Sequence, residues 1–399
     1  MNATTRRDLL ARLDPDEIAA VCADLVRLDT SNPPGHERAA AEYAAGYLGH
    51  EFETTFLPYP EDKTRASVVC RLRSGSGSTG APALVFNGHL DVVPVGAQEW
   101  RHPPFAGEIA EGQVWGRGAA DMKSGVAAML VAAKALAGAR DALALSGDLI
   151  VAATAGEEIG MNGAEQVAQW AGLRPIAGVI IAEPTDNRIG LAERGVLWIE
   201  LVTNGKTAHG STPYLGKNAL NMMRKLLDAV DGAAIPFVRH PVLGDFTYSI
   251  NTIHAGTAGN VVPDRCVASL DLRTVPGQDH RAILAHFNDL IGDLARRDPD
   301  FSAEAHASFD LPSADTPADA PVVGRFCAAV EAVTGQPAAT GVVRFATEAG
   351  VFVPALGVPV IIYGPGHPDL AHQPDEHAPI AAMHTAAQVY VAAAAEILS

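Results

Sequence analysis

Apolar residues recur at helical spacing from Asp16 to Leu28, and the run stops at SNPPG, a strong breaker. A second helix is expected over Glu37 to Leu48. Short Val- and Leu-rich segments then alternate with helical ones: SVVCRL and ALVFNGHLDVV as strands, Lys123 to Ala137 as a small-residue helix, DLIVAATAG as a buried strand, Gly163 to Ala171 as a helix and AGVIIAE as a strand. That rhythm predicts an α/β sheet with both faces covered by helices. After Glu193 the pattern changes. VLWIELVTNG is a longer alternating strand, followed by a helix over Asn218 to Val230, strands in DFTYSINTIHAG and RCVASLDLRTV, a helix over Arg281 to Arg297 and a strand in SAEAHASFD. The order βαββαβ suits a ferredoxin-like module of about 115 residues. Leu311 to Pro321, LPSADTPADAP, reads as a linker. A helix over Val322 to Thr334, the strand VPVIIYGPG and a closing helix from Pro379 complete the chain. The simplest architecture is one α/β domain (residues 1–193 and 312–399) interrupted by an inserted domain (194–311).

Composition narrows the classes. At 399 residues, 48% hydrophobic and 19% charged, the chain is long enough for a large core and too apolar for a disordered one. Its formal charge of −17 repels phosphate backbones, so neither nucleic acid nor an anionic membrane is an expected partner. SGSGSTG, Ser74 to Gly80, reads as a flexible surface loop. The four cysteines (Cys22, Cys70, Cys266, Cys327) form no CxxC pair, which fits a reducing compartment and argues against a thiolate zinc site. MNATTRRDLLARLDPDE has no apolar h-region, so no signal peptide is expected, and no run of about 18 apolar residues stands out as a span. The expected setting is cytoplasmic.

The candidate chemistry sits at apparent strand ends. His89 and Asp91 close one apolar strand two residues apart, a spacing that lets a carboxylate hold the second nitrogen of a metal-binding imidazole. Glu157 and Glu158 follow DLIVAATAG, where open α/β sheets place ligands. Two adjacent carboxylates in a crevice call for a cation or for one raised pKa, and one of them could act as a general base. Glu183 ends a third strand, and a loop carrying His367, His372 and His377 follows a fourth. Asp121 lies in the Gly-rich turn between them. Gly116-x-Gly118 alone supports a nucleotide-dependent dehydrogenase poorly, because Asp121 stands where a third glycine belongs and would repel pyrophosphate. Each carboxylate has a plain alternative as a helix cap or solvated turn; the recurrence at strand ends is the stronger signal. His89, Asp121, Glu158, Glu183 and His372 offer two nitrogen and three carboxylate ligands, a set suited to two divalent ions, with Zn²⁺ first and Co²⁺ or Mn²⁺ as alternatives.

NGHLDVVP, GRGAADMKSG, AGEEIG, AEPT and AHQPDE, in this order, resemble the M20 metallopeptidase family, and GVVRFATEAG resembles its acetylornithine deacetylase and succinyl-diaminopimelate desuccinylase branch. The resemblance spans nearly the whole chain. It implies a di-zinc aminopeptidase-like catalytic domain, a mixed sheet between helices, with an inserted βαββαβ lid that also forms a homodimer. It further implies that His89 and Glu183 bind one ion, Glu158 and His372 the other, and Asp121 both. Asp91 would orient His89, and Glu157 would be the general base. In the lid, His209 of GKTAHGSTP would reach the partner subunit's site and stabilise the oxyanion, while Asn260 of GNVVP and Arg273 of DLR would contact a substrate carboxylate or the reacting group. Unaided by the resemblance, His209 reads first as an exposed loop histidine, and Asn260 and Arg273 have plain alternatives as a turn residue and as one half of a surface pair with Asp271. The expected reaction is attack of a metal-bridging hydroxide on the amide of a small N-acyl amino acid such as N-acetylornithine. Desuccinylation, dipeptide or carboxypeptide cleavage and aryl-amine hydrolysis are alternatives on the same site. A metal-free binding protein on the same fold is the alternative of another class.

Overall fold

The computed structural model describes residues 9–75 and 80–399. The expected loop at Ser74 to Gly80 falls for the most part outside them, as does the beginning of the N-terminal stretch. In chain order the elements are α1 (Pro15–Arg27), α2 (Arg38–Leu48), β1 (Glu53–Pro58), β2 (Ala66–Leu72), β3 (Ala83–His89), β4 (Glu108–Ala110), β5 (Gln113–Trp115), α3 (Ser124–Leu143), β6 (Leu149–Thr154), α4 (Asn162–Gln169), β7 (Ile176–Ile181) and β8 (Ile189–Glu193). They continue with β9 (Gly195–Asn204), α5 (Ala219–Asp231), β10 (Thr247–Ala255), β11 (Arg265–Thr274), α6 (His280–Arg297) and β12 (Ala303–Leu311). Last come β13 (Ala314–Asp315), α7 (Pro321–Thr334), β14 (Thr340–Val342), α8 (Ala349–Leu356), β15 (Val360–Ile362), β16 (His377–Pro379) and α9 (Ile380–Ile397).

Two compact units form. The first comprises the described residues up to Leu191 with Asp315–Val343 and Thr347–Ser399; the second comprises Ala192–Ala314 and Arg344–Ala346. The main sheet runs β1-β2-β6-β3-β7-β15-β8-β13, with β14 beside β8. Its centre is parallel: β3 pairs in parallel with β6 and β7, and β7 with β15. β1, β2 and β8 join antiparallel. Every residue of β3 and β6 is buried, as strands covered on both faces must be. Around the sheet α9 packs against α3, α7 and α1, α2 packs against α3, and α4 pairs with α8. A smaller sheet, β16-β5-β4, completes this unit.

The longest helix shows why composition misleads. Ala119–Arg140 is long and apolar enough to cross a membrane, but 78% of its most apolar window is buried inside the protein, as expected of a core helix. α3 runs six residues past the end expected at Ala137, because the helix formers of ARDAL continue it to Ala144 in the left-handed region.

The second unit is an antiparallel sheet, order β10-β11-β9-β12, carrying α5 and α6. Burial in β11 alternates residue by residue. Its inward set, Cys266, Ala268, Leu270 and Leu272, meets Met223 and Leu226 of α5 and Phe287 of α6 in one core. The Leu311 to Pro321 stretch, expected as linker, contributes the two residues of β13 to the main sheet.

Gly125, in the first turn of α3, lies where a Cβ would overlap the main-chain carbonyl oxygen of Ala182. In an exposed helix, Gly→Ala stabilises by up to about 1 kcal/mol. Here the sign reverses: Gly125→Ala should destabilise by about 1–3 kcal/mol through overpacking, read as a lower denaturation midpoint at unchanged m-value.

Candidate active site

Four neighbouring parallel strands, in the order β6-β3-β7-β15, end at the same edge of the sheet. β3 ends on His89, β6 leads into Glu157 and Glu158, β7 into Glu183, and β15 into the Gly364 to Glu376 loop that carries His372. Strand order therefore brings together groups as much as 283 residues apart in sequence. Ladder and loop bonds set the spacing: Ala182 N–H donates to the Asn87 carbonyl at 2.9 Å, and Leu90 N–H to the Thr154 carbonyl at 2.8 Å.

His89 Nε2 lies 3.1 Å from Asp121 Oδ1 and 3.8 Å from Glu183 Oε1. His372 Nε2 lies 3.5 Å from Asp121 Oδ2 and 3.3 Å from Glu158 Oε2. Asp121 thus stands between two imidazoles, one paired with Glu183 and the other with Glu158. His89, Asp121 and Glu158 each offer a ligand atom within 4.8 Å of one another. Glu158 Oε1 is buried with no hydrogen-bond partner. An orphaned carboxylate oxygen beside hard and borderline donors fits a divalent cation.

Asp91 does more than accompany His89. The imidazole's Nδ1 donates to the main-chain carbonyl of Asp91 at 2.9 Å, while the nearer carboxylate oxygen is 3.7 Å away. That carboxylate accepts instead from three successive N–H groups, Gly156 at 2.9 Å, Glu157 at 3.0 Å and Glu158 at 3.1 Å, and from Asn32 Nδ2 at 2.9 Å. It therefore fixes the turn that presents both glutamates.

Crowding shows in the acidities. Burial and the surrounding carboxylates push Glu157 and Glu183 well above the usual carboxylate range, and burial also raises Glu158. Burial would raise Asp121 too, but its bonds to His372 and His89 hold it below the usual range. His372 is pushed up to about 10 by Asp121 and Glu158. For His89, burial favours the neutral form, but the bond to Asp121 and the charges of Glu157 and Glu183 outweigh it.

The other three expected site residues lie in the second unit. His209 is exposed, its Nδ1 bonded to Ser211 Oγ at 2.8 Å. Gly210 N–H donates to the Asn260 carbonyl at 2.7 Å, so His209 and Asn260 sit on adjoining loops. Arg273 is already engaged by Asp271, Nε to Oδ1 at 2.8 Å and Nη2 to Oδ2 at 3.0 Å. Three residues to which sequence reasoning gave no role also support the site. Arg117 and Glu376 form a buried ion pair beside Asp121. Glu348, fully buried, accepts from Thr154 Oγ1 at 2.9 Å and from Asn87 Nδ2. All three fall inside the quoted motifs, but no periodicity or spacing marks them.

The sequence profile described as Peptidase family M20/M25/M40 matches residues 85–396. The chain belongs to this family. A "probable succinyl-diaminopimelate desuccinylase" of Staphylococcus epidermidis is 28% identical over 387 residues, covering 89% of this chain and 91% of the relative. An acetylornithine deacetylase of Myxococcus xanthus is 30% identical over 372 residues, covering 91% and 93%. Among solved structures, an M20 family metallo-carboxypeptidase of Sulfolobus solfataricus matches with a TM-score of 0.74 at 20% identity over 96% of this chain and 99% of its own. A dinuclear metal-binding M20 peptidase of Bacillus subtilis matches with a TM-score of 0.70 at 18% identity over 98% and 99%. The structures agree in fold, and the sequences align with the desuccinylase and deacetylase branch. The protein is an M20 metallo-amidohydrolase or peptidase, and membership implies divalent metal ions at the site.

Glu348 gives the metal-free protein a signature. Burial pushes its carboxyl up from 4.5 to about 7. The folded state therefore keeps a proton that the unfolded chain releases, so stability falls as pH rises between those values. Glu348→Gln removes this dependence. Denaturant unfolding of the metal-free proteins should show wild type losing on the order of 3 kcal/mol relative to the variant from pH 4.5 to pH 7; parallel pH curves would refute the assignment.

Proposed function

We propose that the protein hydrolyses the amide bond of a small N-acyl amino acid such as N-acetylornithine, using two Zn²⁺ ions. The observation that carries this reading is the convergence of His89, Asp121, Glu158, Glu183 and His372 with Glu157 at one sheet edge. His89 and Glu183 would hold one ion, His372 and Glu158 the other, and Asp121 both. When bound, such a pair supplies Lewis acidity, polarising the amide carbonyl and lowering the pKa of water towards neutrality. Glu157 takes the proton from the attacking water on its carboxylate and returns it to the leaving amine nitrogen. A carboxyl whose burial favours the protonated form accepts a proton readily, which suits the first of these steps. Asp91 holds Glu157 in place through the N–H groups of its turn.

The second unit would supply substrate contacts. His209 would stabilise the oxyanion from the partner subunit of a homodimer, and Asn260 and Arg273 would meet the substrate's carboxylate or reacting group, Arg273 exchanging Asp271 for that anion. The four unpaired cysteines fit a reducing, cytoplasmic setting. Relatives named as desuccinylases make N-succinyl-diaminopimelate the second substrate to try.

Glu157→Gln should lower kcat by about 10²- to 10⁴-fold, with KM little changed and two metal ions still bound per chain. The assay panel is N-acetylornithine, N-succinyl-diaminopimelate, other acyl amino acids, dipeptides and aryl amines, each with Zn²⁺, Co²⁺ or Mn²⁺. An active variant would remove Glu157 from the role of base. If His209→Ala is inactive, mixing it with Glu157→Gln should restore turnover through hybrid dimers; absence of rescue after demonstrated subunit exchange would count against action in trans.

A further inference from the structure

Asp121 and His372 come from segments 251 positions apart, and neither is fixed by its own element. Asp121 lies in an irregular turn with non-helical backbone angles (φ −120°, ψ 95°). His372 is half-exposed, in a loop, at φ +65°. One buried ion pair connects the two segments. Arg117 Nη1 and Glu376 Oε2 lie 2.6 Å apart, with only 3% and 1% of their side chains exposed. Glu376 Oε2 also accepts from Gly118 N–H at 3.0 Å, and Oε1 accepts from Ala120 N–H at 2.9 Å and Asp121 N–H at 3.0 Å. Four donors converge on one carboxylate. Arg117 reaches back to the other segment, donating to the carbonyl of Gln373 at 3.3 Å and lying 3.4 Å from that of His372. The guanidinium also lies over the Trp100 ring, 5.0 Å from its centroid. Main-chain pairing of Gly116 N–H with the Glu376 carbonyl at 2.8 Å closes the clasp.

We propose that Arg117 and Glu376 are positioning residues that hold the Asp121 and His372 donors at metal-binding separation, so that loss of either weakens one of the two metal ions selectively. The proposal rests on the reading of these two residues as ligands. The chemistry of the clasp is specific. A glutamine at 376 keeps one acceptor oxygen and turns an NH₂ group towards two donors, so two of the four bonds are lost in either orientation. A lysine at 117 keeps the charge but lacks the planar fork that engages Glu376 and the carbonyls of the 372–373 segment together. Both changes leave the proposed ligands and Glu157 intact. Both ions use Asp121, but only one uses His372, and the clasp grips both residues; the His372 ion should therefore suffer most.

The experiment titrates metal-free wild type, Glu376→Gln and Arg117→Lys with Zn²⁺ by calorimetry and equilibrium dialysis, with Co²⁺ absorption as a second probe of coordination. Circular dichroism and thermal unfolding of the metal-free proteins report the fold, and Arg117→Lys carries the comparison if Glu376→Gln does not fold. Wild type should bind two ions. The variants should bind one ion within a few-fold of wild type and the other roughly 10- to 100-fold more weakly, and excess metal should restore kcat at unchanged KM. A merely structural role would lower the melting temperature and leave the two affinities in their wild-type ratio, which would overturn the proposal. Equal weakening of both ions would overturn it as well. Fewer than two ions on wild type would overturn instead the ligand reading on which it rests.

Discussion

Like charges held a few ångströms apart in a poorly solvated crevice set the terms for this protein. Asp121, Glu157, Glu158 and Glu183 face one edge of a buried sheet, and three of the four are driven towards the protonated form. Repulsion of that kind would spread the loops unless something outside the cluster held them. Two further carboxylates do so. Asp91 gathers the N–H groups of the turn after β6, and Glu376 gathers those of the turn that contains Asp121. Each is surrounded by hydrogen-bond donors whose dipoles point towards it. The crevice thus has two kinds of acid: those that face its interior and those that brace its walls.

The parallel centre of the sheet explains why such a cluster can be assembled at all. Strands entirely buried on both faces cannot shift register cheaply, so their ends are fixed points. Gly125 brings α3 close under the strand end that precedes Glu183, which places a rigid helix where a loop would yield. Rigidity is built below the site, and the turns above it are held by Asp91 and Glu376.

Much of this was legible in the sequence. The buried runs in β3, β6 and β7 announced strands covered on both faces, the strand pattern of RCVASLDLRTV announced β11, and the recurrence of His and carboxylate groups after apolar runs announced the site edge. What could not be read was anything that depends on strand order or on a single packed contact. β4, β5, β8, β14 and β16 are too short or too irregular to carry a period, and α8 is a short helix with Pro354 inside it. Arg117, Glu376 and Glu348 act through partners up to 261 residues away, and separation of that size leaves no local pattern. For Asp91 the spacing to His89 pointed to the right residue, but the atom that holds the imidazole is the main-chain carbonyl, which no side-chain motif can reveal.

That last contact has a consequence for the state of the ring. An Nδ1 that donates to a carbonyl oxygen must carry a proton, so when the ring gives up its second proton to serve as a metal ligand, the nitrogen freed is Nε2, the one that faces Asp121 and Glu183. Because the acceptor belongs to the backbone, this preference is preserved whatever side chain occupies position 91. Substituting Asp91 therefore perturbs the glutamate turn while leaving the imidazole's protonation pattern intact, which separates two roles that a carboxylate beside a histidine usually combines.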